Sequence, residues 1–287
     1  MRVLILGGDG MMGHRLFKLL RQTHDARVTL HRDLVAYAGY GLFDIHTAYA
    51  GIDVRTDDRI GHVVAEFRPQ VIVNAVGIIK QRVEAKDAIP SIEINALLPH
   101  RLAALGKSIG ARVVHLSTDC VFSGRRGGYA EASLPDAEDL YGRSKLLGEL
   151  TGPGSITLRT SMIGPELARK SGLVEWFLAQ RGEIRGFKQA IFSGFTTVEL
   201  SRIIEMVLTR FPDASGVYHV SSAPVSKYDL LTMIRDRLKR PVEILTDETF
   251  HCDRSLDSSR FRREFGYSPP AWPAMIEELA DELKERA

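Results

Sequence analysis

Arg2-Val-Leu-Ile-Leu6, followed at once by Gly7-Gly-Asp-Gly-Met-Met-Gly13, decides how the fold is read. Val3 to Leu6 is a short apolar run rich in strand formers, and Leu16, Leu19 and Leu20 then recur at helical spacing. The segment therefore reads as strand, tight turn, helix. Glycines at 7, 10 and 13 leave the backbone free to take positive φ, to approach a pyrophosphate and to pack the helix on the strand. Unpaired N–H groups at the helix start attract the same anion. Met11 and Met12, between the glycines, read as packing and backbone contacts to that ligand rather than as redox chemistry.

Outward from this unit, strand-like runs alternate with longer helical patterns. The strands are expected at Val3 to Leu6, Arg27 to Leu30, Val71 to Ala75, Val113 to Leu116 and Ile156 to Arg159. Helices are expected at His14 to Gln22, Asp57 to Phe67, Ser91 to Ile109 and Leu140 to Leu150. Near-continuous apolar strands separated by helices predict an α/β fold, a Rossmann-type doubly wound parallel sheet covered on both faces. The stretch from Tyr37 to Asp53 is irregular and yields no third strand. After residue 160 turn-rich segments such as Pro212 to Gly216 and Phe265 to Pro270 interrupt the alternation. The expected organisation is a dinucleotide-binding domain over 1–160 and a smaller α/β substrate-binding region over 161–287, interleaved with the first. Within that region Leu200 to Leu208, Tyr228 to Leu238 and Met275 to Arg286 read as helices.

Composition narrows the function class. The 287 residues are 44% hydrophobic and 26% charged, which suits a globular enzyme, and a net charge of +2 makes no case for nucleic acid or membrane partners. Cys120 and Cys252 are the only cysteines, too few for a disulfide framework or a thiolate metal site, and fit a reducing compartment. No segment reaches membrane-spanning length and the first residues read as a strand rather than a secretion signal, so a cytoplasmic protein is expected. Nine histidines form no H-x-x-x-H pair, and no catalytic metal is expected.

Tyr141-Gly-Arg-Ser-Lys145 places a phenol and an ammonium one turn apart on one helix face. A fixed positive charge favours the phenolate and makes the phenol a better acid, as reduction of a carbonyl requires. Of the eight tyrosines only Tyr141 has a lysine at this offset, and Ser117-Thr118-Asp119 precedes it at the end of an apolar strand. A hydride added to a ketone leaves charge on oxygen, and two hydroxyl donors aimed there stabilise the transition state.

The cofactor is partly legible. After the second strand, where an acid would hold a ribose 2′-hydroxyl, His31-Arg32 stands, and an arginine there pairs with a 2′-phosphate, favouring NADPH. Asp33 follows, and a strand ending one residue later would substitute that carboxylate and favour NADH. Arg254 and Arg260 flank Ser255 to Ser259 and either bind a substrate pyrophosphate or are solvated.

Taken together, these motifs resemble an extended short-chain dehydrogenase/reductase, and within it the dTDP-4-dehydrorhamnose reductase family of sugar-nucleotide 4-keto reductases. The resemblance rests on Gly7 to Gly13 with its G-x-x-G-x-x-G spacing, Val73-Asn-Ala-Val-Gly77, His115 to Phe122 and Tyr141 to Glu149. At lower strength it extends through Leu158 to Ser161, Phe192 to Thr197 and Gly216 to Val220. It implies Thr118, Tyr141 and Lys145 as catalytic groups, with Lys145 also on the nicotinamide ribose. It implies Asp53 and Val54 against adenine, Ala75, Val76 and Gly77 along the cofactor's other side, and substrate contacts from Thr118, Val121, Phe122 and Phe192. Asn95 resembles the family's helix asparagine near the cofactor phosphates; a solvated helix position is the other reading. The partner implied is a nucleotide-linked keto-sugar, and a homodimer is entertained. Cys120 in place of an aromatic, Phe195 in place of a proline and Asp139 in place of an asparagine depart from the pattern and bear on which sugar is used. The activity expected is NADPH-dependent 4-keto reduction; epimerisation or dehydration on the same fold, and a non-catalytic cofactor-binding subunit, are the alternatives.

Overall fold

A computed structural model describes residues 1–79, 87–168 and 170–286. The chain forms two compact units, each assembled from separated segments. The first comprises Met1–Ser117, Asp139–Leu158 and Ser201–Val217, the second Thr118–Glu138, Arg159–Leu200 and Tyr218–Ala287. Residues 118–138 thus go with the second unit and 201–217 with the first, on either side of the boundary near residue 160 read from the sequence.

The first unit is built on β1 (Arg2–Leu6), α1 (Met11–Leu20), β2 (Asp25–Thr29), β3 (Ala48–Tyr49), α2 (Asp57–Phe67), β4 (Val71–Asn74), α3 (Ala88–Ser91), α4 (Leu98–Ile109), β5 (Arg112–Thr118), α5 (Leu140–Leu147) and β6 (Ser155–Thr160). With the strand Gly216–His219 these form a seven-stranded sheet in the order Gly216–His219, β6, β5, β4, β1, β2, β3. β1 pairs in parallel with β2 (Leu4 opposite Arg27) and with β4 (Leu4 opposite Ile72), and β4 pairs in parallel with β5 (Asn74 opposite His115). From β1 the chain winds outward through β2 and β3, then returns to β4 on the other side. This reversal is the switch point of a Rossmann sheet, where ligands bind outside the carboxyl ends of the strands. The glycine loop after β1 and Ala75 to Gly77 after β4 both follow strand ends at that point.

Burial explains the strand pattern. Val3, Leu4, Ile5 and Leu6 are all fully buried, because helices cover both faces of the sheet. Leu4 and Leu6 pack with Ile60, Val64 and Phe67 of α2 and Leu98 and Leu102 of α4. The third strand escaped the sequence reading because it is two residues long, too short to display a period of two. It pairs with β2 through Val28 opposite Ala48. The helix expected over Ser91 to Ile109 is interrupted: α3 and α4 flank a π-helical stretch, Ile92–Leu97, which carries Asn95.

The second unit contains a three-stranded sheet in which Ala190–Phe192 lies between Val225–Ser226 and Cys252–Asp253, and a parallel pair of Gly182–Phe187 with Val242–Asp247. Helices α6 (Leu173–Ala179), α8 (Lys227–Leu238), α9 (Ser259–Phe265) and α10 (Trp272–Glu285) belong to it, while α7 (Thr197–Arg210) runs from this unit into the first at Ser201. Phe261 and Phe265 stack at 4.3 Å, with Tyr218 edge-on to Phe265 at 5.1 Å. Among the described residues no helix is long and apolar enough to cross a membrane.

Candidate active site

In the first unit the glycine loop is tied to the end of β2. Gly8 N donates to Thr29 O at 2.9 Å and Gly7 N to Thr29 Oγ1 at 3.1 Å. Gly7 takes φ +82°, a left-handed conformation that side chains resist. Gly13 is needed for another reason: a Cβ there would stand 2.0 Å from Gly7 O. Gly10 has φ −80° and serves as the N-cap of α1, so positive φ is used at only one of the three glycines. The first turn of α1 contains no acid, and by helix geometry its leading amides have no intrahelical acceptor. Met12 is buried beneath them and Met11 half-buried.

The loop does contain one carboxylate, Asp9, and the fold directs it to a neutral partner. Tyr37 OH donates to Asp9 Oδ2 at 2.8 Å and accepts from Arg32 N at 3.3 Å. Burial chiefly, with Asp9 adding, pushes the Tyr37 phenol up to about 12. β2 ends at Thr29, three residues before Arg32, whose side chain is exposed and whose carbonyl accepts from Gly51 N at 3.1 Å. Asp33 is the N-cap residue of the 3₁₀ turn Leu34–Tyr40. Asp53 chelates Arg55, with contacts of 3.0 and 2.6 Å, and that hydrogen bonding holds its carboxyl down at about 2. Val54 beside it is half-buried. Val76 abuts the glycine loop, since a Cβ on Gly7 would meet its Cγ2 at 2.9 Å; Ala75 and Gly77 flank it, half-buried. Asn95 is fully buried rather than solvated. Its Oδ1 accepts from Ile78 N at 2.9 Å, and its Nδ2 donates to Ile78 O at 3.0 Å and faces Ser144 Oγ at 3.2 Å. It clamps the segment after β4 to α5.

α5 carries the tyrosine and lysine. Asp139 caps it, its Oδ1 accepting from Gly142 N at 2.8 Å, so the departure from asparagine preserves the cap. Tyr141 lies half-buried in the first turn and Lys145 is 4% exposed in the last. Lys145 Nζ donates to Leu116 O at 2.7 Å and lies 3.4 Å from His115 Nε2. Burial pulls the ammonium down to about 8, with Glu149 opposing. A lysine so poised can switch charge near neutrality beside a tyrosine on the same helix face.

All six residues expected to contact substrate, Thr118, Val121, Phe122, Phe192, Arg254 and Arg260, belong to the second unit. Thr118 Oγ1 accepts from Cys120 N at 3.1 Å, capping the turn Asp119–Val121, and donates to Asp119 Oδ1 at 3.2 Å. Val121 and Phe122 are fully buried, with Phe122 stacked on Tyr129 at 4.2 Å. Arg254 Nε donates to Phe122 O at 2.8 Å, and Asp253 N to Gly124 O at 2.7 Å, lacing this segment to Cys252–Asp253. Burial raises the Asp119 carboxyl while Arg254 and Lys227 pull it back. Lys227 Nζ lies 4.2 Å from the centroid of Phe192, a cation–π contact, and burial brings its ammonium down to about 8. Arg260 is engaged elsewhere, on α9, with Glu264 Oε1 at 3.0 Å and the Tyr218 ring at 4.2 Å. Lys227 carried no signal in the sequence, since a lysine opening a helix is ordinarily solvated. Asp9 and His115 lay inside quoted motifs without an assigned role.

The RmlD substrate binding domain family model matches residues 1–285. The chain belongs to this family. RmlD-family membership makes it an extended short-chain dehydrogenase/reductase, an NAD(P)-dependent enzyme type. Spore coat polysaccharide biosynthesis protein SpsK of Bacillus subtilis (strain 168) is 28% identical over 303 residues, covering 100% of this chain and 98% of that protein. The dTDP-4-dehydrorhamnose reductase of Aggregatibacter actinomycetemcomitans is 25% identical over 303 residues, covering 97% and 98%. The crystal structure of dTDP-4-dehydrorhamnose reductase from Bacillus anthracis str. Ames in complex with NADP superposes with a TM-score of 0.78 at 24% identity, covering 98% of this chain and 99% of that one. At that identity the likeness establishes the fold.

Proposed function

We propose that this RmlD-family chain reduces the 4-keto group of a nucleotide-linked 6-deoxy sugar with NADPH, NADH serving less well, and that Tyr141 gives the proton. The observation that carries the reading is Tyr141 and Lys145 on one helix of the unit that holds the glycine loop, with Lys145 Nζ fixed on Leu116 O at 2.7 Å. The names of the relatives support a sugar-nucleotide substrate: one is a dTDP-4-dehydrorhamnose reductase and another belongs to polysaccharide biosynthesis.

The first unit fits a dinucleotide. Its loop is too tight at Gly13 for any side chain, its first helical turn lacks an acid, and the Asp9 carboxylate is turned to Tyr37. NADPH, when bound, supplies the hydride. The leading amides of α1 hold the pyrophosphate, and the exposed Arg32 guanidinium pairs with the 2′-phosphate. Tyr141 transfers its hydroxyl proton to the substrate oxygen as negative charge develops there, and the Lys145 ammonium makes the phenol the stronger acid. Thr118 acts as a second hydroxyl donor by turning its proton from Asp119 Oδ1 to the substrate carbonyl. Arg254 recognises the sugar nucleotide, while Val121, Phe122 and Phe192, buried, back the segment it is laced to rather than touching the substrate themselves.

Purified protein with NADPH, offered dTDP-, UDP-, GDP- and CDP-linked 4-keto-6-deoxy sugars, tests this by loss of reduced-nicotinamide absorbance. Oxidation with one nucleotide class is expected. Conversion of substrate without net cofactor consumption, by protein carrying tightly bound NAD, would replace the reading with epimerisation or dehydration on the same fold. No turnover of any substrate would leave a cofactor-binding subunit.

A further inference from the structure

A buried polar chain runs behind Lys145. Asn74 and His115 are fully buried on adjacent strands, opposite one another in the β4–β5 register. Val76 N donates to Asn74 Oδ1 at 3.2 Å, so the other end of that amide, Nδ2, is a donor directed at His115 Nδ1, 3.2 Å away. His115 Nδ1 therefore accepts, and the proton of a neutral ring sits on Nε2. That N–H faces Lys145 Nζ at 3.4 Å. An ammonium has three donors and no acceptor, whereas a neutral amine offers a lone pair. The contact is thus donor against donor while Lys145 is charged and becomes a hydrogen bond when Lys145 is neutral. The alternative tautomer only moves the conflict to Asn74.

We propose that His115 is a positioning residue for the reduction, held by Asn74 in the Nε2–H tautomer so that it governs when Lys145 carries the charge that acidifies Tyr141. The proposal rests on the reading above only for its catalytic consequence; the proton arrangement stands on the cofactor-free protein. Among the described residues, the charged and titratable groups that shift the pair are His100 and Glu149. His115 is held neutral by burial, by the Lys145 charge and by His100, and Lys145 is held down by burial against the pull of Glu149. Asn and Gln also change the space and polarity beside Nζ, so the tautomer of the unaltered protein is the measurement that bears on the contact itself.

Nitrogen-15 NMR of histidine-labelled protein tests the tautomer directly. A neutral His115 with the proton on Nε2 is expected; a proton on Nδ1, or an imidazolium at neutral pH, overturns the proposal. Lysine labelled at Cε then gives the Lys145 titration, its signal assigned by its loss in Lys145→Arg. His115→Asn retains an acceptor for Asn74 and removes the group facing Nζ. His115→Gln places a carbonyl oxygen within reach of Nζ. In both the Lys145 midpoint is expected to rise by about one pH unit, a tenfold change in the ammonium-to-amine ratio. An unchanged midpoint in both variants overturns the proposal. Should neither variant fold, isosteric Asn74→Asp supplies an acceptor for Nδ1–H, so the ring should switch tautomer and Nε2 should accept from the ammonium; failure to switch is equally decisive. In turnover, the basic limb of the kcat–pH profile should move with the Lys145 midpoint. If the NMR results hold while no keto-sugar is reduced, the assigned reaction fails and the proton arrangement survives. If reduction proceeds with an Nδ1–H tautomer, the reverse is true.

Discussion

Gly13→Ala is the sharpest test of the cofactor loop. The added Cβ would lie 2.0 Å from Gly7 O and 2.7 Å from Gly7 C, both backbone atoms of a turn that is itself tied to Thr29. Favourable non-bonded contacts begin at about 3.5 Å, so the turn must open by more than about 1 Å. Forcing a methyl group into a well-packed site costs about 1–3 kcal/mol. If the binding-competent turn bears that cost, dinucleotide affinity falls roughly 5- to 150-fold. Gly10→Ala is the internal control, because its Cβ would meet Gly7 O at 3.2 Å and a shift of a few tenths of an ångström relieves it. Its loss should stay below about tenfold. Calorimetric titration of NADPH and NADH into both variants, with thermal unfolding to confirm the fold, makes the comparison. The pyrophosphate is common to the two cofactors, so Gly13→Ala should weaken both by the same factor. Wild-type affinity in Gly13→Ala, or a loss confined to one cofactor, would refute a pyrophosphate cradle at this turn.

Tyr141→Phe removes the proposed proton donor and should lower kcat by about two or more orders of magnitude while NADPH Kd stays unchanged; near-normal turnover rules Tyr141 out as the acid. Lys145 has its ammonium lowered to about 8, so its charge is lost as pH rises through that value, and kcat should decline above about pH 8. The unfolded chain keeps that proton up to the ordinary value of 10.5, so the penalty for burying the ammonium is present below about 8 and relieved on going higher; a stability–pH series compared with Lys145→Met checks the sign. Arg32→Ala should weaken NADPH about 10- to 100-fold and leave NADH nearly unmoved, which the ratio of kcat/KM for the two cofactors measures; equal loss of both removes Arg32 from the 2′-phosphate. Arg254→Ala should raise substrate KM without altering NADPH Kd, whereas Arg260→Ala, whose guanidinium is engaged by Glu264 and Tyr218, should raise it less; the reverse order would relocate the anion contact to α9.

Local features carried the fold and the close packing of the glycine loop. Val3 to Leu6 is buried on both faces and so had to be apolar throughout, and Gly13 had to be glycine because backbone lies where its side chain would be. Tyr141 and Lys145 were legible for the same reason: four residues of helix fix their relation before any tertiary contact forms. The family motifs added Thr118, Phe122 and Phe192, which the chain order alone would not single out.

What the sequence left open was decided by contacts between distant segments. β3 has two residues and exists because β2 offers it an edge, not because its own pattern demands a strand. Asn95 became a buried clamp only through Ile78 and Ser144, and Lys227 is drawn from solvent against the Phe192 ring, where the charge of Asp119 acts on its ammonium. His115 acquires its tautomer from Asn74 on the neighbouring strand and meets Lys145 from a helix formed later in the chain. Periodicity and spacing report which face of an element is apolar. The protonation and pairing of a buried polar group depend on which atoms the fold sets within about 3 Å of it, and that is a property of the packed chain.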